Sequence, residues 1–119
     1  MSRYGPRIAA LERRAERDRK RLEPEDEQPE PDDATTYLRE GAGRAIWLYV
    51  EGEPAGGWFV SPAELDALER AMNAWLECYA RCYGVKLEAD FSIREAAELL
   101  LETRNVDDVG QLLTDVPSR

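Results

Sequence analysis

The chain contains no histidine, and its only lysines are Lys20 and Lys86. Without histidine it lacks the commonest general base, the usual activator of a serine or cysteine nucleophile, and the commonest metal ligand. Cysteine is almost as scarce, and Cys78 and Cys82 alone cannot staple a disulfide-built mini-fold. No apolar run approaches the roughly 20 residues that cross a bilayer. The opening MSRYGPRIAALERR also lacks the apolar core of a secretory leader. These absences point to a non-enzymatic, cofactor-free protein of the reducing cytoplasm, with free thiols and no membrane contact.

What is present fits one modest domain: 119 residues, of which 43% are hydrophobic. The net charge of −9 conceals a partition along the chain. Residues 1–22 carry eight basic and three acidic side chains, while residues 23–33 carry seven acids and no base. The excess of arginine over lysine is consistent with a GC-rich coding sequence. An acidic total favours solubility and opposes non-specific nucleic-acid binding by the body of the protein.

Residues 6–22, PRIAALERRAERDRKRL, predict a helix with Pro6 in its first turn. Its apolar stripe of Ile8, Leu11, Ala15 and Leu22 is narrow and is interrupted at Asp18, so the helix needs a partner. EPEDEQPEPDD then reads as an acidic, proline-rich linker. The expected organisation is a basic helical arm at 1–22, a linker at 23–34 and a body at 35–119.

Within the body, TTYLRE and RAIWLYV (44–50) read as strands, and Trp58-Phe59-Val60 reads as the return strand of a hairpin. Ile46, Leu48 and Val50 would face one side, and Ala45, Trp47 and Tyr49 the other. Ser61-Pro62-Ala63-Glu64 carries a capping box and a first-turn proline, opening a helix over 62–83 that exits at Gly84. Leu65, Leu68, Met72, Trp75, Tyr79 and Cys82 recur in steps of three and four along it, beside a row of small residues at Ala67, Ala71, Ala74 and Cys78. A further helix is expected over 93–104, then a turn and new cap at Asn105 to Asp108, and a short helix carrying Val109, Leu112, Leu113 and Val116 that Pro117 ends. The fold class expected is α+β: a small hairpin or three-stranded sheet packed by one long helix and two C-terminal helices.

Cys78 and Cys82 lie one helical turn apart, but two thiols fall short of a structural zinc site and suit core packing. The aromatic residues lack a basic rim for stacking bases, so core or protein interface suits them better. Arg13, Arg14, Arg17 and Arg21 are the residues that could contact phosphate, although Glu12, Glu16 and Asp18 are interleaved with them.

The stretch Ser92-Ile93-Arg94-Glu95-Ala96-Ala97-Glu98-Leu99-Leu100 resembles the first helix of helix-turn-helix DNA-binding proteins. That resemblance implies a recognition helix at 106–113, where Asp107 and Asp108 would face the phosphates. The opening Arg7-Ile8-Ala9-Ala10-Leu11-Glu12-Arg13-Arg14 resembles small uncharacterised proteins of tailed viruses and mobile elements, a likeness that implies no fold, activity or site.

The function expected is a protein–protein interaction or assembly protein that self-associates through helix 62–83. Its interface residues would be Ala67, Ala71, Ala74, Trp75 and Tyr79, with Trp47 and Tyr49. The partner would be a second copy or another protein, with nucleic acid reached only through 1–22. The alternative is a DNA-binding regulator that uses a degenerate helix-turn-helix at 92–114 or the basic arm.

Overall fold

A computed structural model describes residues 5–21, 33–52 and 61–116. These form α1 (Gly5–Arg21), α2 (Asp33–Thr36), a π-helical segment (Tyr37–Ala42), α3 (Gly43–Gly52), α4 (Pro62–Arg81), α5 (Ile93–Thr103) and α6 (Val106–Thr114). Among the described residues there is no strand. The α+β expectation is therefore corrected to an all-helical fold. The expected strands at 35–40 and 44–50 lie inside one helical run from Asp33 to Gly52, and Trp58–Val60 lies outside the described residues.

The physical reason is legible in the burial pattern. A short apolar run bounded by glycines has no periodicity that separates a strand from a buried helix. Over 40–51 the exposed residues are Glu40, Arg44, Trp47 and Glu51, while Ala42, Ala45, Ile46 and Leu48 are buried. Steps of three and four belong to a helix; a strand would have exposed alternate residues.

The start of α4 follows its local chemistry. The Ser61 hydroxyl accepts from the Glu64 N–H at 3.1 Å, and the Glu64 carboxylate accepts from the Ser61 N–H at 2.9 Å, completing the capping box. The helix ends at Arg81, two residues short of the expected Tyr83, and Gly84 takes the left-handed conformation at φ 78°. Every other helical element packs against α4, α1 and the π segment most extensively.

The partner that α1 needs is therefore α4. Glu12 bonds Arg70, Asp18 bonds Trp75 and Arg19 pairs with Glu77, so residue numbers rise together along both helices. The pair is parallel, and Ile8, Leu11 and Ala15 are buried in it. The helix expected as an arm is thus packed into the body, while the linker over 23–34 lies outside the described residues except for Asp33 and Ala34.

An extended segment, 85–92, returns along α4. Glu77 accepts from the Ala89 N–H at 3.0 Å, and Glu69 accepts from the Ile93 N–H at 3.0 Å. Between them, Asn73 both accepts from the Phe91 N–H and donates to the Phe91 carbonyl, at 2.9 and 3.0 Å. Glu69, Asn73 and Glu77 are spaced by one helical turn and so present a row of acceptors to every second amide of the segment. Asn105 then caps α6 by accepting from the Asp107 and Asp108 N–H groups.

Candidate interaction surface

The residues expected at an interface divide sharply. Ala67, Ala71, Ala74, Trp75 and Tyr79 are all buried within the single chain. Both the heptad seam and the small-residue row are covered by the protein's own helices, and no free face remains there for a second copy. Tyr49 is half-buried against the core. Among the described residues, the large apolar side chains in solvent are Trp47, 46% exposed, Leu101 and Leu112.

Trp75, 1% exposed, joins three elements. Its indole N–H donates to the Asp18 carboxylate at 2.9 Å. Its ring lies against the backbone of Gly41, where an added Cβ would come within 2.5 Å of the ring atoms. The Arg14 guanidinium sits over it at 5.8 Å from the ring centroid. Glycine in a helix costs about 1 kcal/mol relative to alanine, a cost accepted here because nothing larger admits the indole. The expected row of phosphate-contacting arginines is thereby split. Arg13, Arg17 and Arg21 are exposed, whereas Arg14 turns inward.

The thiols lie nearby and are buried. Burial pushes both Cys78 and Cys82 up to about 12, and surrounding carboxylates add to the effect. Tyr37 is raised to about 12 by burial first and by the neighbouring thiols second. A thiol so held stays protonated and is a poor nucleophile. Among the described residues no group of three Cys, Asp or Glu side chains converges as a metal site would require.

A shallow hollow along α1 is lined by Glu12, Arg13, Glu16, Arg17, Lys20 and Arg21, and two deeper clefts also carry charge. The first cleft, between α6, α2, the π segment and the end of α4, has a volume of about 350 Å³, and its lining includes Tyr79, Tyr83, Asp107 and Asp108. Arg39 bonds the Asp107 carboxylate at 2.6 Å, which ties down the first turn of α6. The second runs between α1 and α3, measures about 320 Å³, and places Arg7, Arg14 and Arg44 around Trp47, Leu11 and Leu48. Arg44 also pairs with Glu40 at 3.1 Å, and Arg7 lies 4.0 Å from Glu51.

Of this second cleft, the sequence singles out Trp47 and Arg14 but neither joins them nor reveals Arg7 and Arg44. As a sequence, Arg44 reads as the first residue of a strand and Arg7 as the start of an arm, so neither suggests a shared site. A helical reading of 40–51 would have put Arg44 and Trp47 on one exposed face.

Residues 2–118 match the sequence profile of a family described as a domain of unknown function, DUF8055. The chain belongs to that family. No curated protein and no solved structure matches it. Among the described residues of this DUF8055 chain, no helix is long and apolar enough to cross a membrane.

Proposed function

We propose that the protein is a non-enzymatic, cytoplasmic protein–protein interaction module that docks through the α1–α3 face around Trp47. The carrying observation is Trp47, 46% exposed and set in the α1–α3 cleft among Arg7, Arg14 and Arg44 over Leu11 and Leu48, whereas the other exposed large apolar side chains among the described residues, Leu101 and Leu112, lie outside that cleft. Tryptophan left half in water beside arginines is the composition of an interface core, not of a solvated helix face. The non-enzymatic part draws support from the thiols held near 12 and from Asp107 being engaged by Arg39.

Self-association remains part of the proposal, but through Trp47 and not through the covered α4 face. The test is sedimentation over a range of protein concentrations, paired with a photo-crosslinking amino acid at position 47 in cells. Concentration-dependent dimers, or protein adducts at 47 that are absent when the crosslinker replaces exposed Glu98, are the expected results. A monomer at every concentration, with no adduct at 47, overturns the reading.

The second reading, nucleic-acid binding, finds its support in α1 alone. The α6 route is disfavoured because Asp107 and Asp108 occupy its first turn and Asp107 is held by Arg39.

A further inference from the structure

The geometry points to an acidic peptide segment, its carboxylates interspersed with aromatic or aliphatic side chains, as the partner of the α1–α3 face. This rests on the interaction reading above and specifies its chemistry. The observation behind it is a sorting of charge that the linear sequence conceals. In sequence, the acids of α1 alternate with its bases. In the fold, Glu12 and Asp18 are engaged by α4, while Glu16 stays exposed. Glu12 accepts from Arg70 at 2.7 Å, Glu16 lies 3.9 Å from Arg19, and Asp18 accepts from the Trp75 indole.

The outer flank is predominantly basic, four cations sharing one hollow with Glu12 and Glu16. Arg13, Arg17, Lys20 and Arg21 are all exposed, and none has an ion-pair partner among the described residues. This flank continues into the cleft that holds Arg14, Arg44 and Trp47. Among the described residues of a chain of net charge −9, this face is thus predominantly positive, with an apolar floor and with Glu16 and Glu51 set among its cations. Charges beyond about 8 Å are largely screened at physiological salt, so the local surface and not the net charge governs what docks.

Acidic peptide fits better than nucleic acid for two reasons. Beside Trp47, on which a base could stack, the cleft floor has Leu11 and Leu48, aliphatic surface that suits apolar side chains better than bases. Glu51 also lines the cleft and would meet the uninterrupted charge of a nucleic-acid strand, whereas spaced carboxylates can pass it. Guanidinium groups take carboxylates in paired hydrogen bonds, which gives the arrangement its selectivity.

The test is fluorescence polarisation on the full chain with three labelled probes. The first is a peptide of about fifteen residues with Asp and Glu interspersed with Phe and Leu. The second carries the same acids with Ser in place of Phe and Leu. The third is an oligothymidylate of similar length. The first probe should bind, the second more weakly, and binding should fall as salt rises from about 50 to 300 mM. Arg17→Glu with Arg21→Glu should weaken the first probe by at least about tenfold, and Trp47→Ala by a similar factor. Circular dichroism on each variant checks that the helices persist. Should Trp47→Ala lose structure, the doubly reversed arginine variant, altered only at exposed positions, decides alone.

No binding of the first probe, or equal binding by the arginine variant, overturns the inference. Tighter binding of the oligothymidylate overturns it too, and transfers the face to single-stranded nucleic acid. Adducts at position 47 without any binding of the acidic peptide would defeat this inference while leaving the interaction reading intact.

Discussion

Trp75 is fully buried yet carries a polar N–H, and the fold meets that demand with one carboxylate. Asp18 interrupts the apolar stripe of α1 at the position where it can accept from the indole at 2.9 Å. In the sequence this residue reads as a flaw in an amphipathic helix, because a broken stripe does not reveal which distant donor the acid will meet. Asp18→Ala should leave the indole N–H unsatisfied and cost ~1–3 kcal/mol in denaturant unfolding, while Asp18→Asn, which keeps a carbonyl acceptor, should cost much less. Equal losses in the two variants would mean that the charge, not the hydrogen bond, is what Trp75 requires. The thiols make a second prediction at this scale. Cys78, Cys82 and Tyr37 stay protonated to about pH 12 in the folded chain, whereas unfolded thiols ionise from about pH 8.5. Above that pH the unfolded state binds fewer protons than the native state, so stability is full below it and falls as pH rises toward 12. Chemical denaturation across this window should show the decline. Cys78→Ala with Cys82→Ala should flatten it, and an unchanged slope would assign it to other groups.

At the scale of elements, helix ends were readable and the middle of the chain was not. Ser61, Glu64, Ser92 and Asn105 act through bonds to residues two or three positions away, which local sequence specifies, and each forms its cap. RAIWLYV is different, because its state depends on what covers it. Its aromatic and branched residues satisfy strand preferences, and its helical form rests on long-range packing against α4 and α5. The two glycines that mimic strand-bounding turns belong to a π-helical passage and its exit, shaped around Trp75 and Leu38. The acceptor row on α4 was likewise invisible, since Glu69, Asn73 and Glu77 look like ordinary polar positions. Asn73→Ala removes both bonds to Phe91 and should cost ~1–3 kcal/mol, since two backbone groups lose their partners in a half-buried place. Glu98→Ala, on an exposed flank, should cost under about 0.5 kcal/mol and serves as the control in the same thermal or urea titration.

For the whole molecule, the decisive fact is that α4 is surrounded by its own chain. The apolar face that seemed wide enough for a dimer is as wide as α1, the π segment and α3 require together. Counting apolar positions reveals how much must be covered and is silent on whether the cover comes from the same chain. A consequence can be measured by cutting the chain. A protease site placed between Arg21 and Asp33 should, after cleavage, leave the two pieces co-eluting, because Ile8, Leu11 and Ala15 stay buried on α4. Residues 33–119 produced alone should lose cooperative unfolding. A fragment as stable as the full chain would mean that α1 is an appendage after all.

The return of residues 85–92 along α4 carries one more consequence. Ala89, Phe91 and Ile93 donate their amide hydrogens to side chains, while Glu88, Asp90 and Ser92, which alternate with them, are exposed. Amide exchange followed by NMR should therefore alternate residue by residue, slow at 89, 91 and 93 and fast at 88 and 90. That rhythm is the solvent-exchange signature of an edge strand, written here in a segment whose only template is the flank of a helix.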